Sequence, residues 1–153
     1  MRFYTANEQQ TERLAAAFAK RLRPSDVVFL YGRPGAGKTA FVRGVARALK
    51  VEDHVSSPTF ALIHEHRFAQ GLLAHMDLYR LQGQGLEELG LEEYLQAPHT
   101  ICLIEWPQGL EDWVQTPIRV ELTTKEDDDQ SRVICIDGPG DWSGLQEECI
   151  CES

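Results

Sequence analysis

A glycine-rich stretch between an apolar run and an amphipathic run places the strongest constraint on how this chain can fold. Residues 31–44 read YGRPGAGKTAFVRG, directly after the apolar residues 27–30. A continuous apolar run of this length is typical of a buried parallel strand. Apolar residues recur at helical spacing from 41 to 49, which indicates an amphipathic helix. The sequence therefore predicts a strand, a tight loop and a helix in immediate succession.

The loop fits the pattern G-x-x-x-x-G-K-[ST] of a phosphate-binding loop, or P-loop. Glycines allow the backbone to turn so that successive N–H groups point inward, and the start of a helix adds further unpaired N–H groups. The Lys38 ammonium is expected to reach the β- and γ-phosphate oxygens, and the Thr39 hydroxyl is expected to bind Mg²⁺. The predicted nucleotide contacts in the loop are Gly32, Gly35, Ala36, Gly37, Lys38, Thr39 and Ala40.

The rest of the chain alternates predicted strands with predicted helices. Strands are expected at residues 2–5, 27–31, 59–67, 72–79, 100–105, 118–123 and 132–137, and helices after residue 7, from residue 38 and within 85–95. This order predicts an α/β fold, a P-loop NTPase-like three-layer sandwich whose two hairpins make the sheet mixed and partly antiparallel. We expect a single P-loop ATPase domain over residues 1–137 and a loosely ordered tail over residues 138–153.

Charge and hydropathy narrow the classes of function. The chain has 24 acidic and 15 basic residues and a formal charge of −9, so direct, tight binding of nucleic acid by the isolated chain is not expected. The apolar runs are too short to cross a bilayer, and the N-terminus MRFYTANEQQ has no apolar signal core. A cytoplasmic protein that does not bind membranes is therefore expected.

A magnesium site also requires a carboxylate at the end of a strand near the loop, and two acids compete for this role. Glu105 and Asp137 each end an apolar run. Residues 137–140 (DGPG) and 124–127 (TKED) imitate two GTPase motifs, D-x-x-G and [NT]-K-x-D. In GTPases, however, D-x-x-G precedes the guanine-reading motif, whereas here the order is reversed. We therefore assign the metal carboxylate to Glu105.

Three further motifs point to a family. The chain carries SPTF at residues 57–60, HMDLYR at 75–80 and EWP at 105–107. Together with GRPGAGKT, these motifs resemble in order and spacing the bacterial tRNA threonylcarbamoyladenosine biosynthesis ATPases, the TsaE or YjeE family. The resemblance covers residues 5–132.

This resemblance implies a small ATPase that uses ATP and Mg²⁺ and serves a partner complex. The implied partners are threonylcarbamoyltransferase proteins of the TsaD and TsaB type, which install threonylcarbamoyl on an adenosine of tRNA. Thr39 and Glu105 would hold Mg²⁺, and Lys38 would act on the phosphates. Thr59 would be a switch-type threonine near the γ-phosphate, and Asp77 a second catalytic acid that could orient the attacking water. The implied nucleotide contacts outside the loop are Thr5, Glu8 and Arg132.

Two other classes of function remain open from the residues alone. A small-molecule P-loop kinase is the main alternative, although the acidic stretch after Leu81 is unlike the arginine-rich lid of such kinases. An interaction module with negligible hydrolysis in the absence of partners is the second.

Several single residues also have simpler interpretations. Thr59 can be an ordinary residue at the start of a strand, Asp77 can form a structural salt bridge with Arg80, and Trp106 can be a core aromatic. A zinc site built from neighbouring strands, or simple packing, would account for His64, His66 and His75. A metal or redox pair is conceivable for Cys149 and Cys151.

Overall fold

The computed structural model describes residues 1–52 and 62–150, which form a seven-stranded mixed sheet covered by helices on both faces. The strands are β1 (Arg2–Thr5), β2 (Val27–Tyr31), β3 (Ile63–Phe68), β4 (Gly71–Asp77), β5 (Thr100–Glu105), β6 (Ile118–Lys125) and β7 (Asp128–Asp137). The helices are α1 (Glu8–Ala19), α2 (Lys38–Leu49), α3 (Leu91–Gln96) and α4 (Leu145–Ile150), with short 3-10 turns at Tyr79–Leu81, Leu86–Leu89 and Glu111–Trp113. None of the helices in these ranges is long and apolar enough to cross a membrane.

The sheet is parallel at its centre and antiparallel at both sides. Its strand order is β1-β7-β6-β2-β5-β4-β3, in which β6, β2, β5 and β4 run parallel while β1, β7 and β3 pair antiparallel. α1, α2 and α4 cover one face, and α3 with the 3-10 turns covers the other, so the core consists of two apolar layers. The prediction of an α/β three-layer sandwich with a mixed sheet is confirmed.

Close packing of α1 on α2 holds the first layer together. Gly44 is buried within α2, and a methyl group added there would lie 2.3 Å from the Glu12 carbonyl oxygen and 2.8 Å from the Ala15 Cβ. The two helix backbones therefore approach each other at a point where only glycine fits. Phe18 and Phe41 pack beside this point, with ring centroids 5.4 Å apart.

Three of the seven predicted strands have their expected bounds, and the others differ at one or both ends. The strands expected at 2–5, 27–31 and 100–105 are observed without change. The strand expected over 72–79 ends at Asp77, because the Asp77 carboxylate accepts a hydrogen bond from the Tyr79 N–H at 3.1 Å and turns the chain. The strands of the second hairpin are longer than expected, which reduces its acidic turn to residues 126–127.

The prediction of a loosely ordered tail is wrong for residues 138–150. Trp142 is 4% exposed, and Leu145 and Cys149 are fully buried in the same core as α1 and α2. The Phe18 and Trp142 rings lie 4.9 Å apart. Leu145 and Cys149 lie one helical turn apart in α4, and Trp142 precedes the helix, so the three side chains pack into one apolar cluster. Glycines and acidic residues surround these three residues, so the sequence alone did not indicate that the segment is packed.

Polar contacts also hold this segment in place. The Gln146 side chain accepts a hydrogen bond from the Tyr4 N–H and donates one to the Tyr4 carbonyl, both at 2.8 Å. The Arg21 guanidinium donates to the Asp141 carbonyl at 3.0 Å and forms an ion pair with Glu148. The Cys149 thiol donates to the Gln146 carbonyl at 3.2 Å. Cys151 lies outside the described residues.

Gly44→Ala tests the helix contact. At an exposed helical position this change would stabilise the protein by about 0.5–1 kcal/mol, because glycine is the poorer helix former. Here we expect the free energy of unfolding to fall by about 1–3 kcal/mol, since the added methyl group forces α1 and α2 apart. Urea denaturation measures the change, and a gain in stability would contradict the packing described above.

Candidate functional site

The carboxyl ends of three parallel strands, β2, β5 and β4, lie side by side. Leu30 of β2 is level with Glu105 of β5, and Glu105 is level with Asp77 of β4. The glycine-rich loop follows β2 directly, so it begins beside these two acids. Asp137 aligns instead with Arg119, near the start of β6, and its carboxylate lies 3.4 Å from the N-terminal ammonium. Of the two competing acids, the structure places only Glu105 beside the loop.

The loop ends in an open helix N-terminus. Gly35 and Gly37 have φ values of 83° and 104°, which are left-handed conformations that favour glycine. In the described chain, no side chain caps α2 at Gly37, and its first turn contains no acidic residue. The first N–H groups of a helix have no partner within the helix, and they carry its positive dipole end. This arrangement is suited to binding an anion.

An arginine from a distant strand supports the loop. Arg132 of β7 donates from Nε to the Ala36 carbonyl at 2.7 Å and from Nη2 to the Gly35 carbonyl at 3.2 Å. A methyl group at Gly37 would lie 3.3 Å from this Nε atom. Arg132 therefore holds the Gly35 and Ala36 carbonyls of the loop in place.

Lys38 is held under an aromatic ring. Its side chain is largely buried, at 8% exposure, and its ammonium donates to the Gly32 carbonyl and lies 4.2 Å from the centroid of the Trp106 ring. Burial lowers the pKa of Lys38, whereas the nearby carboxylates of Glu105 and Asp77 act to raise it. Trp106 itself has a φ of 57°, an uncommon conformation for a bulky residue. The Trp106 ring therefore faces the site, which answers the question of whether it is only a core aromatic.

The two acids have different surroundings. Glu105 is largely buried, and its Oε2 atom lies 2.7 Å from Nε2 of His75. Asp77 is exposed, and it accepts the Tyr79 N–H described above. Asp77 and Arg80 form no ion pair in the described part of the chain, so the salt-bridge alternative for Asp77 is not observed. Glu105 is thus held in place by His75, whereas Asp77 is open to solvent.

A cavity of about 440 Å³ lies between the loop and these acids, within the size range of small-molecule sites. The predicted site residues that line it are Glu8, Gly35, Gly37, Lys38, Thr39, Ala40, Asp77, Glu105 and Arg132. Gly32 and Ala36 lie on the other side of the loop. Thr5 is buried and does not line the cavity, but its hydroxyl lies 2.8 Å from that of Thr11, which does. Thr59 lies outside the described residues, so its role stays a prediction.

Several residues that line the cavity were not among the predicted site residues. These are Thr11, Pro34, Arg43, Tyr79 and Gln130. Thr11 and Arg43 lie one helical turn after Glu8 and Thr39, so helical spacing alone could have found them. Arg43 forms ion pairs with Glu8 at 2.9 Å and with Glu12 at 2.7 Å, which connect the two helices at the mouth of the cavity.

Within residues 1–52 and 62–150, the side chains of His64, His66 and His75 do not form a zinc site. His64 and His75 are cross-strand neighbours with ring centroids 5.9 Å apart, and His66 is buried beside them. Among the residues that the structure describes, no three His, Cys, Asp or Glu side chains are placed to hold a metal ion together.

Comparisons with known proteins identify the family of this chain. The family model described as "Threonylcarbamoyl adenosine biosynthesis protein TsaE" matches residues 5–134. The chain belongs to the TsaE family. The resemblance seen in the sequence motifs is therefore confirmed.

Curated TsaE relatives extend the match across the chain. A Bacillus subtilis protein named tRNA threonylcarbamoyladenosine biosynthesis protein TsaE is 34% identical over 152 residues, covering 99% of this chain and 92% of the relative. The protein of the same name from Rickettsia bellii is 36% identical over 132 residues, covering 85% and 90%. The crystal structure of B. subtilis YdiB superposes with a TM-score of 0.75 at 31% identity, covering 98% of this chain and 93% of that one.

Arg132→Gln tests the support of the loop in this TsaE-family chain. We expect the free energy of unfolding to fall by about 1–3 kcal/mol, because charge-assisted hydrogen bonds to two loop carbonyls are lost. Urea denaturation measures the change. The control is Arg119→Gln, an exposed arginine on β6 whose side chain forms no hydrogen bond or ion pair within residues 1–52 and 62–150. Equal effects of the two substitutions would contradict a specific role for Arg132.

Proposed function

We propose that this protein is a Mg²⁺-dependent ATPase that supports tRNA threonylcarbamoyladenosine biosynthesis in the cytoplasm. Membership of the TsaE family carries the pathway, since the relatives bear that name. The observation that supports ATP hydrolysis is the meeting of Lys38, Thr39, Glu105 and Asp77 around one cavity at the end of β2. Partners of the TsaD and TsaB type would supply the transferase chemistry.

The residues around the cavity fit a triphosphate. The uncapped N-terminus of α2 and the Lys38 ammonium supply positive charge where the loop ends. Lys38 already lies among polar and aromatic partners, so phosphate oxygens would replace the Gly32 carbonyl as its acceptor. The lowered pKa of Lys38 reflects its burial, and a polyanion beside it would favour the charged form.

The same residues fit a magnesium ion. Mg²⁺ prefers oxygen ligands and is usually held by one or two carboxylates together with the substrate phosphates. Thr39 offers a hydroxyl, and Glu105 offers Oε1, which accepts no hydrogen bond from the described residues. Bound there, the ion would neutralise charge that develops on the phosphate oxygens. Asp77 is exposed and level with Glu105, and it would then orient the attacking water.

The kinase alternative is less well supported. The stretch after Leu81 forms the 3-10 turn Leu86–Leu89 and α3, which pack through Leu86 and Leu91 on the face of the sheet opposite α2. Its acidic side chains are exposed. Such a segment cannot supply arginines over the phosphates. The match to a TsaE-family crystal structure over nearly all of both chains also favours the accessory role.

Glu105→Gln and Asp137→Asn separate the two competing acids. We expect Glu105→Gln to lower Mg²⁺-dependent phosphate release roughly 100-fold, because it removes a negative charge at the metal while the loop stays intact. Asp137→Asn is expected to leave phosphate release unchanged, since Asp137 pairs with the N-terminus away from the cavity. A loss of activity in Asp137→Asn alone would overturn the assignment of the metal carboxylate.

Lys38→Ala tests the link between hydrolysis and tRNA modification. We expect slow phosphate release by the purified protein, faster release with the TsaD- and TsaB-type partners, and loss of both in the variant. Threonylcarbamoyladenosine formed over many turnovers is measured in parallel. The control is Lys20→Ala, an exposed lysine that follows the end of α1.

Each outcome identifies one of the competing functions. No association with the partners, together with modification that is unaffected by Lys38→Ala, would contradict the proposal. Phosphate transfer to small acceptors would favour a kinase. Stable binding to the partners with no hydrolysis would favour an interaction module.

A further inference from the structure

His75 contacts the one acid that the proposed metal site requires. Its Nε2 atom lies 2.7 Å from Oε2 of Glu105, and the two side chains are only 13% and 10% exposed. A contact this short between two nearly buried groups is a directed hydrogen bond. The proposed function assigns no role to His75.

The sheet explains why these two side chains meet. β4 and β5 are parallel, and their register sets Asp77 beside Glu105 and His75 beside Leu103. Residues two apart on a strand point to the same face, so His75, Asp77 and Glu105 share the face that α1 and α2 cover. His75 therefore lies two residues before the level of Glu105 on the neighbouring strand and on the same face of the sheet.

The chemistry of the pair fixes the direction of the hydrogen bond. An ionised carboxylate can only accept, so the imidazole donates from Nε2. The His75 Nδ1 atom is buried and has no hydrogen-bond partner among the described residues, which favours the tautomer with the proton on Nε2. Glu105 thus has one oxygen engaged by His75, while Oε1 remains available.

We propose that His75 is a positioning residue that holds the Glu105 carboxylate in the orientation needed to bind Mg²⁺. The inference rests on the proposed function, because it assumes that Glu105 is the metal carboxylate. Ligating carboxylates are commonly held by hydrogen bonds of this kind, and losing such a partner typically weakens metal binding about 10- to 100-fold. Without the imidazole, the Glu105 side chain is free to occupy other rotamers.

A matched pair of substitutions tests the proposal. In His75→Gln, the side-chain amide can place an N–H near the position of Nε2, whereas the shorter amide of His75→Asn cannot reach Glu105. Both variants are neutral and polar, so they differ mainly in reach. His64→Gln, at the neighbouring imidazole, controls for general effects of losing a histidine from this cluster.

Binding of a non-hydrolysable ATP analogue is measured with Mg²⁺ and with EDTA, alongside the Mg²⁺ concentration that gives half-maximal phosphate release. For His75→Asn we expect this concentration to rise about tenfold, and the Mg²⁺-dependent gain in analogue affinity to fall by a similar factor. Affinity in EDTA should stay within about twofold, because the loop is untouched. His75→Gln and His64→Gln should both resemble the unmodified protein. Equal weakening with Mg²⁺ and with EDTA, or no change in His75→Asn, would overturn the proposal.

A measurement on the unmodified protein covers the case in which His75→Asn does not fold. Nitrogen NMR of the imidazole should show a proton on Nε2, and adding Mg²⁺ with the analogue should shift this signal. A proton on Nδ1 would overturn the proposal.

Glu105→Gln separates failure of the inference from failure of the proposed function. If Mg²⁺ affects neither the unmodified protein nor Glu105→Gln, the proposed metal site fails, and the role of His75 fails with it. If Glu105→Gln loses the Mg²⁺ effect while His75→Asn keeps it, only the role of His75 is overturned.

Discussion

The parallel pairing of β2 with β5 is the interaction on which the other features of this protein depend. Both strands are buried on both faces, and their register sets Leu30 beside Glu105. A one-residue slip would turn the buried side chains of a strand to the opposite face, so packing by the helices on either side fixes the register firmly. The glycine-rich loop and Glu105 therefore lie together because this register aligns the ends of β2 and β5.

The proposed ligand is an anion, although the chain as a whole is acidic. The chain carries a formal charge of −9, yet the cavity places Lys38 and the α2 N-terminus where phosphates would lie. The other two basic side chains at the cavity are engaged by protein groups. Arg132 donates to loop carbonyls, and Arg43 forms ion pairs with glutamates. Lys38 and the α2 N-terminus supply positive charge beside the acids Asp77 and Glu105. A site of this composition suits the proposed ligand, a triphosphate bound with a divalent cation.

Sequence reasoning predicted the parts of this fold that local pattern encodes. Spacing and order along the chain predicted the glycine-rich loop, the central strands and a position for Glu105 beside the loop. The metal-binding role of Glu105 stays a prediction. The support of the loop by Arg132 was not visible in the same way, because it joins residues about a hundred positions apart. The contact between His75 and Glu105 likewise depends on the register of two parallel strands, which no short stretch of sequence specifies.

The contact between Gln146 and Tyr4 has a consequence for the outer boundary of the sheet. β1 is an edge strand, and an unpaired edge can recruit a strand from another molecule. The Gln146 amide donates to and accepts from the Tyr4 backbone, as a neighbouring strand would. Because α4 holds this side chain in place, the segment after β7 blocks one position on that edge. Truncation before residue 138 would therefore expose an aggregation-prone surface as well as part of the core.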